Sequence, residues 1–166
     1  MPEKDVIERA HKDAREGKSP STQAGEFVHE EIEHIRQGKH GAKSTKQAIA
    51  IGLSKARRAG VKLPTPGAGS SSQTRRKAAQ DAVAGRRQTP RRTSRTRSRA
   101  TTGVLKRQGR AAASKKALSK QATAAARKRG AAARSSAARK AVRTKGARKR
   151  SAAAKKAART RAGRAR

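Results

Sequence analysis

The 166-residue sequence has no cysteine, tryptophan or tyrosine, and only one phenylalanine, Phe27. Without cysteine, neither a disulfide framework nor a thiolate metal centre can form, which fits a reducing compartment. Phe27 alone gives almost no platform on which unpaired bases could stack, the usual device of single-strand and RNA-reading modules. No apolar run approaches the roughly 20 residues of a membrane span, and the opening MPEKDVIERA lacks the apolar stretch of a secretory signal. A soluble, cytoplasmic chain with no membrane partner is the expectation. Acids are scarce as well, with 10 Asp and Glu against 46 Lys and Arg, a formal net charge of +36.

That charge rises in steps. Residues 1–33 hold nine acids and five bases, residues 34–66 eight bases and no acid, and from Gly67 onward 33 bases accompany a single acid, Asp81. The apolar content is mostly alanine, which buries too little area to offset chain entropy over such a stretch. The expected fold class is therefore mostly α: a small two- or three-helix head over residues 1–63, a Pro/Gly/Ser linker at 64–73, and a long intrinsically disordered basic tail with helix-forming segments at 74–166.

Three helices are expected in the head. The first, Pro2 to Arg15, has proline at its first position, Glu3 and Asp5 at the positive end of its dipole, and a thin stripe of Val6, Ile7, Ala10 and Ala14. In the second, about Thr22 to Gln37, Val28, Ile32 and Ile35 fall at i, i+4 and i+7 beside Phe27. The third, Ser44 to Ala59, opens on a capping box of Ser44 and Gln47 and ends at Gly60. Its expected buried stripe is Ile49, Leu53 and Ala56, widened by Ile51, with Gly52 suited to close helix approach. With Val61 and Leu63, these residues suffice for a small, marginal domain, for which a homodimer, a protein partner or DNA would add the missing burial.

The tail divides in two. Thr74 to Thr102 is rich in Arg, Ser and Thr and is protamine-like in composition, with Thr93, Ser94, Thr96 and Ser98 placed beside arginines where phosphorylation would lower the charge. Gly103 to Arg166 is rich in Ala, Lys and Arg. These are strong helix formers, but like charges at i and i+4 repel. The expectation is coil in solution and helix on a polyanion, in pieces cut at Gly109, Gly130, Gly146 and Gly163.

Such a density of cations points to nucleic acid: neutralising phosphates releases condensed counterions, and affinity scales with the number engaged. The cations assigned to this surface are Lys46, Lys55, Arg57 and Arg58 on the third helix, and Arg75, Arg76, Lys77, Arg86, Arg87, Arg91, Arg92, Arg95, Arg97 and Arg99 in the first half of the tail. In the second half they are Lys115, Lys116, Arg127, Lys128, Arg129, Arg139, Lys140, Arg148, Lys149, Arg150, Lys155 and Lys156. Phosphate contacts position a protein without reading bases, so little sequence specificity is expected. DNA is the expected polymer, and RNA stays open because a polycation does not distinguish the two.

Other chemistry has weaker support. The second and third helices could form a helix-turn-helix, with Lys43, Ser44 and Lys46 near DNA, but the third helix reads better as a solvated face. His29 and His34, in HEEIEH, sit at i and i+5, about 140° apart on a helix, so they do not form the i, i+4 metal pair of a zincin. No nucleophile with a positioned base and no phosphate-cradling loop is present; no enzyme activity, cofactor or metal is expected. The acidic first third is expected to fold back on the tail and temper its binding.

The block from Glu26 to Pro64, EFVHEEIEHIRQGKHGAKSTKQAIAIGLSKARRAGVKLP, resembles a family of small bacterial proteins built around a KQAIAIGLS helix, often labelled plasmid-stabilisation or histone-like. The tail, through blocks such as AAAKKAAR at residues 152–159, is similar to bacterial linker-histone-like proteins. The resemblances imply a nucleoid-associated, DNA-condensing protein, or a plasmid-maintenance module whose head binds a protein partner.

Overall fold

The computed structural model describes residues 2–87 and 94–163; inside its last helix the side chains at 141, 143–150 and 153 fall outside that description. Among the described residues the regular structure is helical throughout, as the composition leads one to expect. The elements are α1 (Lys4–Arg15), α2 (Pro20–Arg36), α3 (Thr45–Arg58), α4 (Ser72–Arg86), α5 (Arg95–Lys106), a 3-10 turn (Ala111–Ala113), α6 (Lys115–Lys128) and α7 (Gly130–Ala162). The chain forms two compact units, Met1–Gln121 and Ala122–Arg166.

The ends of α3 follow local chemistry. Ser44 Oγ accepts the Gln47 backbone N–H at 3.2 Å, satisfying one of the helix's orphan donors. The Gln47 side chain reaches one residue further back than a capping box requires, accepting from the Lys43 N–H at 2.8 Å. At the other end Gly60 has φ +92°, and the Val61 N–H bonds the Ala56 carbonyl at 3.1 Å.

The buried face of α3 is not the expected stripe. Thr45, Ala48, Gly52 and Ala56 are buried, while Ile49, Ile51 and Leu53 are only half-buried. The reason lies in the approach of α2: a Cβ added at Gly52 would stand 2.7 Å from the Cα of Val28. Backbones this close admit only small residues between them, and the branched side chains flank the seam.

Two clusters form the core of the first unit. Val6, Ala10, Ala24, Phe27, Ala56 and Val61 pack together, with Ile7, Leu53, Ala59 and Leu63 against them. The second joins Ile32, Ile35, Ala42 and Ala48 to Ala112 and Ala113, with Val28 and Leu118 alongside. Alanines far along the chain thus complete the head's core, where the sequence had suggested coil. Gly41 N–H donates to the Leu105 carbonyl (2.9 Å), Ala42 N–H to that of Gly109 (3.2 Å), and Thr45 Oγ1 to that of Ala112 (2.7 Å). Gly41 is obligatory there, since a Cβ would meet the Gln108 carbonyl oxygen at 1.8 Å.

Residues 64–73, read from the sequence as a linker between head and tail, lie within the first unit. They lead into α4, which packs back on α3. Asp81 is 3% exposed and gathers Arg58 Nε (2.8 Å), Lys77 Nζ (2.7 Å) and the Ser54 hydroxyl. Gly85 closes the same contact, because a Cβ would fall 2.0 Å from the Arg57 carbonyl oxygen.

In the second unit α7 runs unbroken for 33 residues. The expected cuts hold at Gly130, where φ is +69° and the helix begins, and at Gly163, which caps it; Gly146 lies in the interior and does not interrupt it. No buried face distinguishes this helix among its described side chains, which are all exposed, Val142 included.

Candidate nucleic-acid interface

The cations assigned from the sequence fall into three situations. Most are exposed: Lys46, Arg75, Arg76, Arg86, Arg87, Arg95, Arg97, Arg99, Lys115, Lys116, Arg127, Lys128, Arg129, Arg139, Lys155 and Lys156. Lys140 is exposed too and has an interaction partner. Arg91 and Arg92 lie outside the described residues, as do the side chains of Arg148, Lys149 and Arg150.

Four others are engaged by the fold. Arg58 and Lys77 hold Asp81 while staying about half-exposed, and Arg57 donates to the Pro64 carbonyl at 3.3 Å. Lys55 departs furthest from its expected place. Its side chain is 18% exposed and its ammonium sits 2.8 Å from Glu31 and 3.2 Å from Glu30, both buried. A lysine turned inward onto two carboxylates is not a phosphate contact, and burial of the pair makes its release costly.

The first turn of α3, the end a recognition helix would present to DNA, is likewise occupied. Thr45 is buried beneath the 111–113 turn, and only Lys43, Ser44 and Lys46 face outward. Close by, an open cleft of about 370 Å³ is lined by Arg36, Arg110, Ala113, Ser114 and Lys115. Ser114 Oγ accepts the Ala117 N–H at 3.2 Å, so the cleft opens at the capped, positive start of α6. Arg36 and Arg110 were not among the sequence-assigned cations; neither lies in a motif, and only docking of the 105–113 segment brings them together.

The head's acids are mostly spoken for. Seven of the nine acids in residues 1–33 pair within the head: Glu3 with His34 and Lys39, Asp13 and Glu16 with Lys18, Glu26 with Arg9, Glu33 with Arg36, and Glu30 and Glu31 with Lys55. Hydrogen bonds from His34 and then Lys39 hold the Glu3 carboxyl below its ordinary value. A hydrogen bond from Lys18 likewise holds the Glu16 carboxyl down, and the bonds to Asp13 and then Glu16 raise the lysine. Acids bound this way are largely neutralised within the head.

Asp81, the one acid beyond residue 66, behaves similarly. Burial pushes its carboxyl up, but hydrogen bonds from Lys77, Ser54 and Arg58 outweigh that and leave it below the usual value.

The expected separation of His29 from His34 is present, with His29 exposed. The chain brings His34 to His40 instead, ring centroids 6.2 Å apart in an edge-to-face arrangement. A nucleic-acid surface also needs bases to read if it is to be specific, and the only aromatic ring of Phe, Trp or Tyr type, Phe27, is fully buried. It offers no stacking platform.

A model of a family of unknown function (DUF6496) matches residues 17–66, the span that carries α2, α3 and the turn between them. No curated protein and no solved structure matches the chain.

Proposed function

We propose that this protein is a non-enzymatic, histone-like DNA-binding protein that binds and condenses duplex DNA through phosphate contacts with little sequence preference. The observation that carries the reading is the second unit, where residues 122–166 hold 17 Lys and Arg and no acid. Its described cations are exposed. At 1.5 Å per residue, α7 is about 50 Å long, comparable to one and a half turns of duplex. Twelve of its side chains are Lys or Arg. At one phosphate charge per about 1.7 Å of axis, a duplex of that length carries more charges than the helix has cations. The cleft beside Arg110 and Lys115 adds a further phosphate contact on the first unit.

Burial of Phe27 supports the absence of base reading, and nucleoid association follows as the expected location. The test is binding of the full chain to random duplex DNA across a salt series, with structured RNA as competitor. If all 17 cations of the second unit engage, the log-log slope is about −15. Preference for RNA at matched salt would move the protein to an RNA- or ribosome-associated role. A shallow slope, about −3 or less, would remove the polyanion reading altogether.

A further inference from the structure

The buried carboxylates of α2, Glu30 and Glu31, are not used by nucleic-acid binding, and the oxygens of Glu31 are incompletely satisfied. Glu31 is 0% exposed, and neither of its carboxylate oxygens accepts a hydrogen bond. Lys55 Nζ stands 2.8 Å from Oε2, an ion-pair distance without hydrogen-bond alignment. Oε1 is left facing His40 Nε2 at 3.4 Å.

The two histidines decide what that atom faces. His40 Nδ1 lies 3.2 Å from the Gly41 carbonyl, which can only accept, so Nδ1 carries the proton. In the neutral ring Nε2 then presents a lone pair to Glu31 Oε1, acceptor against acceptor inside the protein. His34 Nε2 lies 2.9 Å from the Glu3 carboxylate, which also accepts, so that ring too spends one nitrogen on an oxygen and keeps the other. Such donation of the second ring N–H to a carboxylate or carbonyl is how metal-ligating histidines are ordinarily oriented.

We infer that Glu31, His34 and His40 form a binding site for a divalent transition-metal ion, with Zn²⁺ the best match. One ligand atom from each lies within 4.8 Å of the other two. Bonds of roughly 2.0–2.2 Å in a tetrahedron separate ligand atoms by about 3.3–3.6 Å, the spacing Glu31 Oε1 and His40 Nε2 already have. Two imidazoles and a carboxylate suit Zn²⁺, and water completes the shell. With neutral histidines, Glu3, Glu30 and Glu31 outnumber Lys39 and Lys55 by one charge, so a cation is electrostatically favoured. The ion ties α2 to the turn at His40, whose neighbour Gly41 receives the 105–113 segment, and so acts as a structural clamp. The site stands independently of whether the tail binds DNA.

The test uses the full chain, freed of nucleic acid and stripped with chelator. Zn²⁺ is titrated against a chromophoric chelator, Co²⁺ is added as a spectroscopic probe, and thermal unfolding is followed by circular dichroism. One Zn²⁺ per chain, a raised Tm and the intense visible bands of tetrahedral Co²⁺ are expected. His40→Ala and the isosteric Glu31→Gln should each weaken Zn²⁺ by at least the roughly 10–100-fold that loss of an outer-shell partner costs, with His29→Ala unchanged. Glu31→Gln keeps the side-chain volume should His40→Ala fail to fold. An unshifted Tm, an octahedral aquo-Co²⁺ spectrum, or equal loss in His29→Ala would overturn the site.

Discussion

Replacing Asp81 by asparagine removes the acid on which Arg58, Lys77 and Ser54 converge. Because Arg58 and Lys77 are half-exposed, their released charges return to solvent, and the expected loss is about 1–2 kcal/mol, read from urea unfolding. The carboxyl is held below its ordinary value of 3.8 in the folded chain. Its contribution is therefore complete above that value and lost as pH falls through the lower folded one. The gap between wild type and Asp81→Asn should narrow below about pH 4, and a gap constant from pH 7 to pH 3 would contradict the assignment. Gly41→Ala tests the other junction. Its Cβ would strike the backbone oxygen of Gln108, which cannot swing aside as a flexible side chain would, so loss of at least about 1–3 kcal/mol is expected in the same measurement.

Among elements, legibility followed locality. The ends of α3 could be read from Ser44, Gln47 and Gly60 because capping is decided within a few residues. Its buried face could not, since Ile49 and Leu53 outrank Ala48 and Gly52 in hydrophobicity and only the approach of α2 reverses the order. The roles of Ala112 and Ala113 were hidden for a related reason: alanine in an alanine-rich tail carries no periodic signal. The cluster at Glu31, His34 and His40 combines a helix with the turn after it, and searching HEEIEH for its own metal pair looked to His29, which points elsewhere. The helix α7 is a separate case, with propensity on its side and charge against it. A peptide of residues 130–162 should be largely coil at low salt and gain helix on duplex DNA, and Gly146→Ala should raise the helical fraction by removing about 1 kcal/mol of penalty. Circular dichroism that is unchanged by DNA would contradict this.

At the scale of the whole molecule the charge is carried mostly by segments that contribute little to the core of the first unit. Truncation after Arg129 removes 14 Lys and Arg and no acid. It should flatten the salt slope of DNA binding by up to about 13 while leaving the unfolding midpoint of the first unit near its original value. Truncation after Gly103 should behave differently, since it also removes Gly109, Ala112 and Ala113 and strips one wall from the second cluster. A large fall in thermal stability is expected there in addition to the loss of DNA affinity, and equal stability of the two truncated chains would contradict the docking.

That docking also sets an order of events in time. Thr45 meets Ala112 across 67 residues, whereas α2 and α3 are joined by a short turn. Closing the longer loop costs more chain entropy, so the helical hairpin should form first and the second cluster later. During synthesis on a ribosome, Ile32, Ile35 and Ala48 stay partly uncovered until residue 113 has emerged. The strongly cationic stretch between 74 and 110 is therefore made while the head is unfinished, so polyanions have access to it before the 105–113 segment closes onto the turn.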